Sequence, residues 1–521
     1  MRPTFLGFQA ARSGLVASQK ALDIVGNNVA NMNTEGYTRQ RVDLISMSIS
    51  SVANRYAVGN STLAGQGVYV TGVSQVRNPY LDTRYREQSA CLGELETIVS
   101  TYNDMENLFD DVTSSGLQDT MSKLMLQLQQ VTPHAEKPEI ANTVLTAAKN
   151  LVQLMNSYNS KLNQIAEQNQ TSLNVCVQNV NSILEKLSSL NSQIKDASLS
   201  NVTVDAISGE RRLLGPYGPN ELYDDRNLLL DQLSAYGEVD VKNESDGTIT
   251  LTFGGSVVLS GSKADSLRLE QDANGLNTLT WRRSGAEYNA KDGAITAYVN
   301  LLSGKGGYAA AGENSFEGIE YYREILNSFA STLATSFNSA NTVPALDSNG
   351  DPILDINGDP TYLGGNLFKT FDGATTFTAG NLRISDEWVA NPQFILMSDS
   401  TTEGKLDNSN ILKMIAMFDD KTLSFGNGGY TEFTGTFEGY LVHFVTKLGN
   451  QKDYYESTAD STTSVAMELL DARDAVSAVS ENEEAINMMV YQKSYNAAAR
   501  LITAIDEMLD VLINKLGRVG L

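Results

Sequence analysis

Apolar residues follow a three-then-four spacing most strictly at the two ends of the chain. From Met488 the sequence steps through Tyr491, Tyr495, Ala498, Ile502, Ile505, Leu509, Leu512, Leu516 and Val519 without a polar break. A 3.5-residue repeat of this kind is an a/d seam, and it predicts a helix supercoiled left-handedly about a partner helix. Gln492, Lys493, Arg500, Asp506, Glu507, Asp510 and Lys515 fall between the seam positions and suit a solvated face. Near the N-terminus, Phe8, Ala11, Leu15, Ser18, Leu22, Val25, Val29 and Met32 repeat the spacing, with Ser18 as the polar intruder. The two terminal helices are therefore expected to pair as a coiled coil. A helix packed on a globular body would show a broader stripe. Burying about ten such side chains stabilises by roughly 10–20 kcal/mol at most. Much of that is available only when further copies surround the pair, so the ends are expected to order on assembly.

The segment "NNVANMNTEGYTRQRV" at 27–42 reads as helix, turn and strand. Asn27, Asn28 and Asn31 can bond the last free backbone groups of the helix. Asn33, Thr34, Glu35 and Gly36 form a turn in which Gly36 supplies a permissive backbone. Tyr37 to Leu44 then alternates as a strand should. Helical spacing dominates 94–235, including a long amphipathic run through Leu162, Ile165, Leu173, Val177, Val180, Ile183, Leu184, Leu187, Leu190 and Ile194. Residues 236–303 alternate Val, Ile and Thr with turn residues and predict antiparallel β structure. A helix is predicted over 315–340, turn-rich β-like sequence over 343–402, and helix again near 408–420 and 434–521. The expected fold is mainly α with β-rich insertions, in discontinuous domains, with N- and C-terminal segments packed together.

The chain has 521 residues, enough for three or four domains, and its 41% hydrophobic and 19% charged content is ordinary for a globular protein. Net charge is the more informative quantity, at −24. So acidic a surface repels phosphate backbones and anionic bilayers, so neither nucleic acid nor membrane is expected as a partner. Residues 1–44 are different: five basic residues against three acidic ones give +2, leaving −26 on the remainder. Cys91 and Cys176 are read as buried free thiols. The start has no apolar h-region or cleavage site of a secretory signal, and no run of about 18 apolar residues predicts a membrane span.

Candidate chemistry is thin. In "DSNGDPILDINGDP" (347–360), Asp347, Asn349, Asp351, Asp355, Asn357 and Asp359 hint at a calcium loop. Gly350 and Pro352 fall in the wrong places for one, and two consecutive Asn-Gly turns are the preferred reading. "SGKGG" (303–307) has Val299 and Gly306 where a phosphate loop needs Gly and Ser or Thr. With only His134 and His443, no nucleophile–base constellation can be built. No catalytic residue, cofactor or metal ligand is expected, and the protein is read as a non-enzyme.

"NNVANMNTEGYTRQ" resembles the N-terminal signature of the bacterial flagellar axial proteins, the family of rod, hook and hook-associated subunits. "YQKSYNAAARLI" resembles the shared C-terminus of that family, while "GYTRQ" and "DEMLDVLI" (506–513) are most similar to its hook-associated members. "NELYDDRNLLLDQLS" (220–234) and "LGGNLF" (363–368) extend the resemblance to about half the chain. Gln75, Asn78, Asn142 and Ala478 depart from the family pattern, where Arg, Asp, Arg and Gly are usual. The resemblance implies an inner coiled-coil core of 1–45 and 485–521 and a helical middle domain of 46–235, 315–342 and 403–484 with a short β portion. It further implies a β-rich outer domain at 236–314 and a β-rich insertion at 343–402. The implied subunit-interface residues are Phe8, Leu15, Leu22, Val25, Val29, Met488, Tyr495, Ile502, Ile505, Leu509, Leu512 and Leu516. Asn28, Asn31, Asn33, Gly36 and Tyr37 make up the turn motif. The implied partners are further copies of the chain, hook protein below, a further hook-associated protein or filament above, and an export chaperone. The implied place is extracellular, at the hook–filament junction, reached by flagellar export without a cleaved signal. The alternatives are another axial subunit such as the hook protein, or a secreted adhesin or enzyme whose activity lies in 236–402.

Overall fold

The computed structural model describes residues 6–46, 67–114, 116–134, 137–200, 202–204, 211–213, 219–271, 277–345, 351–355, 359–398, 407–511 and 513. Helix α1 (Leu6–Ala30) leads through the turn into an antiparallel ribbon of β1 (Gln40–Ser46) and β2 (Val68–Gln75). Three helices follow: α2 (Pro79–Ser114), α3 (Leu117–Val131) and α4 (Pro138–Ser200). A short pair, β3 (Val202–Val204) and β4 (Arg211–Leu213), precedes α5 (Asn220–Ser234). The β-rich segment then builds a four-stranded antiparallel sheet in sequence order, β5 (Val239–Asn243), β6 (Ile249–Phe253), β7 (Ser256–Ser260) and β8 (Lys263–Ala264). Beside it β9 (Leu267–Gln271) pairs with β10 (Asn277–Trp281).

Helices α6 (Ala294–Ser303) and α7 (Ile319–Ala340) return the chain to the helical body. Two short antiparallel pairs follow, β11 (Thr342–Pro344) with β12 (Tyr362–Gly364), and β13 (Phe368–Thr370) with β14 (Leu382–Ile384). After α8 (Asp386–Ala390) and α9 (Ser409–Ala416), the hairpin of β15 (Ser424–Asn427) and β16 (Tyr430–Thr434) leads into α10 (Phe437–Ser477) and α11 (Glu481–Asp510).

This is the mainly α, multidomain fold expected, with differences in detail: the strand read from Tyr37 starts at Gln40, a short strand pair lies within 94–235, and the helix read over 434–521 is broken at 478–480. Helix α6 lies inside the stretch read as β. Its sequence AITAYVNLLS is short, apolar and partly β-branched, where periodicity does not separate strand from buried helix. The β15–β16 hairpin was not anticipated. Gly428 and Gly429 both take positive φ, which a two-residue hairpin turn of the I′ kind requires.

Helix α4 is the spine. Its 63 residues span roughly 95 Å, and Pro138 at its first position suits the fixed φ of a helix start. Its first half sends Val144, Leu145, Leu151, Met155, Tyr158 and Leu162 into a large core shared with α2, α3, α7 and α10. That core also takes Leu367, Phe368, Leu382 and Trp388 from the 343–402 segment. Its second half sends Leu173, Val177, Val180, Leu184 and Leu187 into a separate core with α5 and the sheet. There β6 places Ile249, Leu251 and Phe253 inward, on alternate positions.

Asparagine joins the helices to the strands. Asn191 on α4 donates from Nδ2 to the Ile249 carbonyl at 2.9 Å and accepts the Ile249 N–H at 3.2 Å. Asn181 does the same for Leu267, at 2.9 and 2.7 Å. Asn338 on α7 does so for Phe368, at 2.9 and 2.8 Å. Each carboxamide stands in for a neighbouring strand's peptide group. Replacing Asn191 with Leu leaves a buried N–H and C=O without partners, so urea unfolding should show a loss of about 2–5 kcal/mol. A loss below about 0.5 kcal/mol would remove the carboxamide from this role.

Candidate assembly site

Helices α1 and α11 lie side by side and run in opposite directions. Gly7, near the start of α1, faces Ile505 near the end of α11, whereas Arg39, just past α1, pairs with Glu483 and Glu484 at the start of α11. Val25 is buried, and Phe8, Leu15, Leu22 and Val29 are half-buried. On α11, Tyr495, Ile502, Ile505 and Leu509 are half-buried, while Met488 is exposed. Leu512 and Leu516 lie outside the described residues. Beside Val25 and Asn28, the buried positions of α1 are small: Ala11, Ala17, Ser18 and Ala21. A reading keyed to large apolar residues passes over Ala17 and Ala21. Further apolar side chains of α11 lie outside the seam, scattered among Asn482, Lys493, Arg500 and Glu507. Ile486, Met489, Val490, Leu501, Met508 and Ile513 stand in solvent, Met508 at 58% and Ile513 at 72% exposure.

The turn after α1 is a knot of hydrogen bonds. Asn28 is buried and treats Gln40 as the other asparagines treat their strands: Nδ2 donates to the Gln40 carbonyl at 2.9 Å and Oδ1 accepts its N–H at 3.0 Å. The Tyr37 hydroxyl donates to the same Oδ1 at 2.9 Å. Asn31 donates to the Asn27 carbonyl at 3.0 Å, serving the helix end as expected. Asn33 is exposed at the tip. Gly36 has φ +79° and packs against Leu228 of α5, so a side chain there meets both strain and a neighbour.

Long-range contacts then tie the turn to the body. The Arg39 N–H donates to the Ser477 carbonyl at the end of α10, at 2.8 Å. The bend between α10 and α11 is made by Ala478 in extended backbone, which any residue adopts, so alanine is unstrained where the family usually has glycine. Ser480 caps α11. Gln75 Nε2 bonds the Asn220 carbonyl at 2.9 Å and Asp224 Oδ1 at 2.8 Å. Asn78 caps α2 through the Tyr80 N–H at 3.1 Å. Arg77 forks onto Asp82 at 2.6 and 3.0 Å and reaches the Thr38 hydroxyl at 3.2 Å. Asp231 accepts from both Arg86 and Arg473, at 2.7 Å each. No sequence pattern pairs residues this far apart.

Outside this joint the structure is sparing. Cys91 and Cys176 are free and half-buried rather than buried, and burial pushes the Cys176 thiol up to about 11. Among the described residues no cluster of His, Cys, Asp or Glu is built to hold a metal. Of the calcium-loop candidates, Asp355 and Asp359 close a tight turn, with Asp355 N–H to the Asp359 carbonyl at 2.7 Å and Asp359 N–H to Asp355 Oδ1 at 3.0 Å. Asp351 is exposed, and Asp347, Asn349 and Asn357 lie outside the described residues. No described helix is long and apolar enough to cross a membrane.

Asp224 makes the joint sensitive to pH. Burial raises its carboxyl to about 6, against the pull of Thr38 and the Arg77 guanidinium. The folded state thus holds this proton more tightly than the unfolded chain, whose Asp ionises near 3.9. The stability from this group is full below about pH 4 and lost as pH rises through about 6. Asp224→Asn should remove that loss. Its advantage over the wild type in urea unfolding should grow between pH 4 and pH 7 by about 2 kcal/mol. A pH-independent difference would contradict the assignment.

Three family models match the chain: "Flagellar hook-associated protein FlgK helical domain" over 102–356, "Flagella basal body rod protein" over 8–38, and "Flagellar basal body rod FlgEFG protein C-terminal" over 474–516. The chain is 28% identical to flagellar hook-associated protein 1 of Bacillus subtilis, over 100% of both chains. It is 24% identical to that of Salmonella typhimurium, over 97% of this chain and 98% of the relative. A flagellar hook protein of Treponema pallidum is 40% identical but matches only 15% of this chain. The solved structure of the flagellar hook junction protein from Burkholderia pseudomallei shares the fold, with TM-score 0.56 and 13% identity, covering 76% of this chain and 100% of that one. Both ends and the helical middle thus point the same way: along its whole length the chain is similar to flagellar hook-associated protein 1.

Proposed function

We propose that the chain is a structural subunit of the bacterial flagellum that polymerises at the distal end of the hook and joins hook to filament. The observation that carries this reading is the apolar surface that α11 leaves exposed. The helix already packs along α1, yet Ile486, Met489, Val490, Leu501 and Met508 remain in solvent. Apolar surface of that extent marks an association surface, and the terminal helices of further copies are its simplest partners. Hook protein then lies below, and a further hook-associated protein or filament above. An export chaperone shields the apolar helix before assembly. Residues 1–45 and 485–521 form the inner core, 46–235, 315–342 and 403–484 the middle domain, and 236–314 and 343–402 the outer β regions. The subunit works outside the cell, having left through the flagellar export route without a cleaved signal. Its task is mechanical: the bonded turn fixes the angle between rod and body.

Cells lacking the gene provide the test. Intact hooks, with filament protein shed as monomer into the medium, are the expected result; normal filaments would refute a junction role. In the purified chain, Ile502→Asp and Leu509→Asp should leave unfolding of the two body cores unchanged within about 1 kcal/mol and abolish incorporation into hooks, because a charge placed in an apolar seam is costly. Wild-type incorporation would exclude the seam as an assembly surface.

A further inference from the structure

Charge is divided unevenly between the two helix pairs that meet at the joint. On α10, Asp453, Glu456, Asp460, Met467, Asp471 and Asp474 are spaced by three, four or seven residues and are all exposed, so they form one stripe along the helix. The stripe turns away from α2, on which α10 lays Tyr455 against Tyr102, with ring centroids 5.5 Å apart, and Arg473 over Tyr85 at 4.4 Å. Lys452, at the edge of the stripe, is bonded to Glu106 at 2.7 Å and stands 4.0 Å from Glu456. Among the described residues no cation forms an ion pair with Asp453, Asp460, Asp471 or Asp474. Like charges three or four residues apart destabilise a helix, whereas interleaved Glu and Lys support it. Asp453 with Glu456, Glu456 with Asp460, and Asp471 with Asp474 are all of the first kind. The α1–α11 pair is the reverse. From Leu6 to Leu22 and from Ala485 to Ile505 it carries Arg12, Lys20, Lys493 and Arg500 and no carboxylate, in a protein whose net charge is −24. All four cations are exposed, and none is in an ion pair among the described residues. Gly7 faces Ile505 in this antiparallel pair, which at equal rise sets Arg12 level with Arg500 and Lys20 within a residue of Lys493. Val16 is exposed between Arg12 and Lys20, as Met467 is exposed within the acidic stripe.

The two faces complement each other in charge, and each offers an exposed apolar side chain besides. Within one chain α10 packs along α2 and α11 along α1, so it is between chains that the faces can meet. We propose that the acidic stripe of α10 docks on the cationic section of the α1–α11 pair of a second copy. This rests on the reading of the chain as a polymerising subunit, and it names the two surfaces that join. Because they differ, the contact is heterologous, head to tail, and every docked copy keeps a stripe or a cationic section free for the next. Such a contact builds a ring or a helical array, whereas a two-fold dimer needs a face that matches itself. Each exposed pair is weak and screened by salt. Several together steer the encounter and fix its register.

The test adds the purified full chain to isolated hooks and measures the copies retained per pelleted hook. Retention of the wild type should fall about tenfold between about 50 mM and about 500 mM sodium chloride. Asp460→Lys with Asp471→Lys, and separately Arg12→Glu with Arg500→Glu, should each cut retention at low salt about tenfold or more. Their Tm should stay at the wild-type value, because all four side chains are exposed. A chain carrying all four reversals should recover to within about threefold of the wild type, since the pairing is restored between copies. Wild-type retention in either double variant would overturn the proposal. Losses without recovery in the fourfold variant would overturn it too, because the faces then meet another component and not a second copy. A wild-type chain that never joins hooks would instead refute the junction role, and this contact with it. Should a reversed chain fail to fold, Asp460→Asn with Asp471→Asn and the salt series decide: retention indifferent to both would overturn the proposal.

Discussion

A strand laid against a helix has no ladder for its helix-facing N–H and C=O groups, and this protein meets the need with asparagine. Asn28, Asn181, Asn191 and Asn338 each sit on or at the end of a helix and present a carboxamide to one strand residue, both donating and accepting. The device recurs at four places: α1 with β1, α4 with β6 and with β9, and α7 with β13. No other uncharged side chain carries a donor and an acceptor side by side on so short a stem. The helical spine and the β insertions are therefore fixed to one another by directional bonds as well as by apolar contact.

The same economy governs the ends of the chain. The first and last helices come together because Arg39 reaches Ser477 by its backbone and Glu483 and Glu484 by its side chain, while Asn28 holds the intervening turn. Body residues are packed on all sides in two cores. The terminal pair has one packed side only, so a gradient runs from a rigid body to a rod that is incomplete alone.

The departures from the family pattern are absorbed locally. Gln75, an amide where the family usually has Arg, donates to Asp224 without bringing a positive charge to it. Asn78 becomes a helix cap. Ala478 occupies extended backbone, where glycine has no advantage. Asn142 is exposed on α4.

Periodicity and turn chemistry are local properties. The pairing of the two terminal helices, the long amphipathic run now seen as α4, most of the β character read over 236–303 and the turn at Gly36 could all be read from the order of residues. So could the family, since its motifs lie at the two ends and in 220–234. The antiparallel sense of the terminal pair, the burial of Ala17 and Ala21, the asparagine bonds to strands and the sharing of Asp231 by Arg86 and Arg473 depend on residues tens to hundreds of positions apart. An isolated Asn reads as a turn or cap residue, and an isolated Arg as a solvated charge. Only when packing removes water from around them does the partner decide what each side chain does, and that partner is chosen by the tertiary fold.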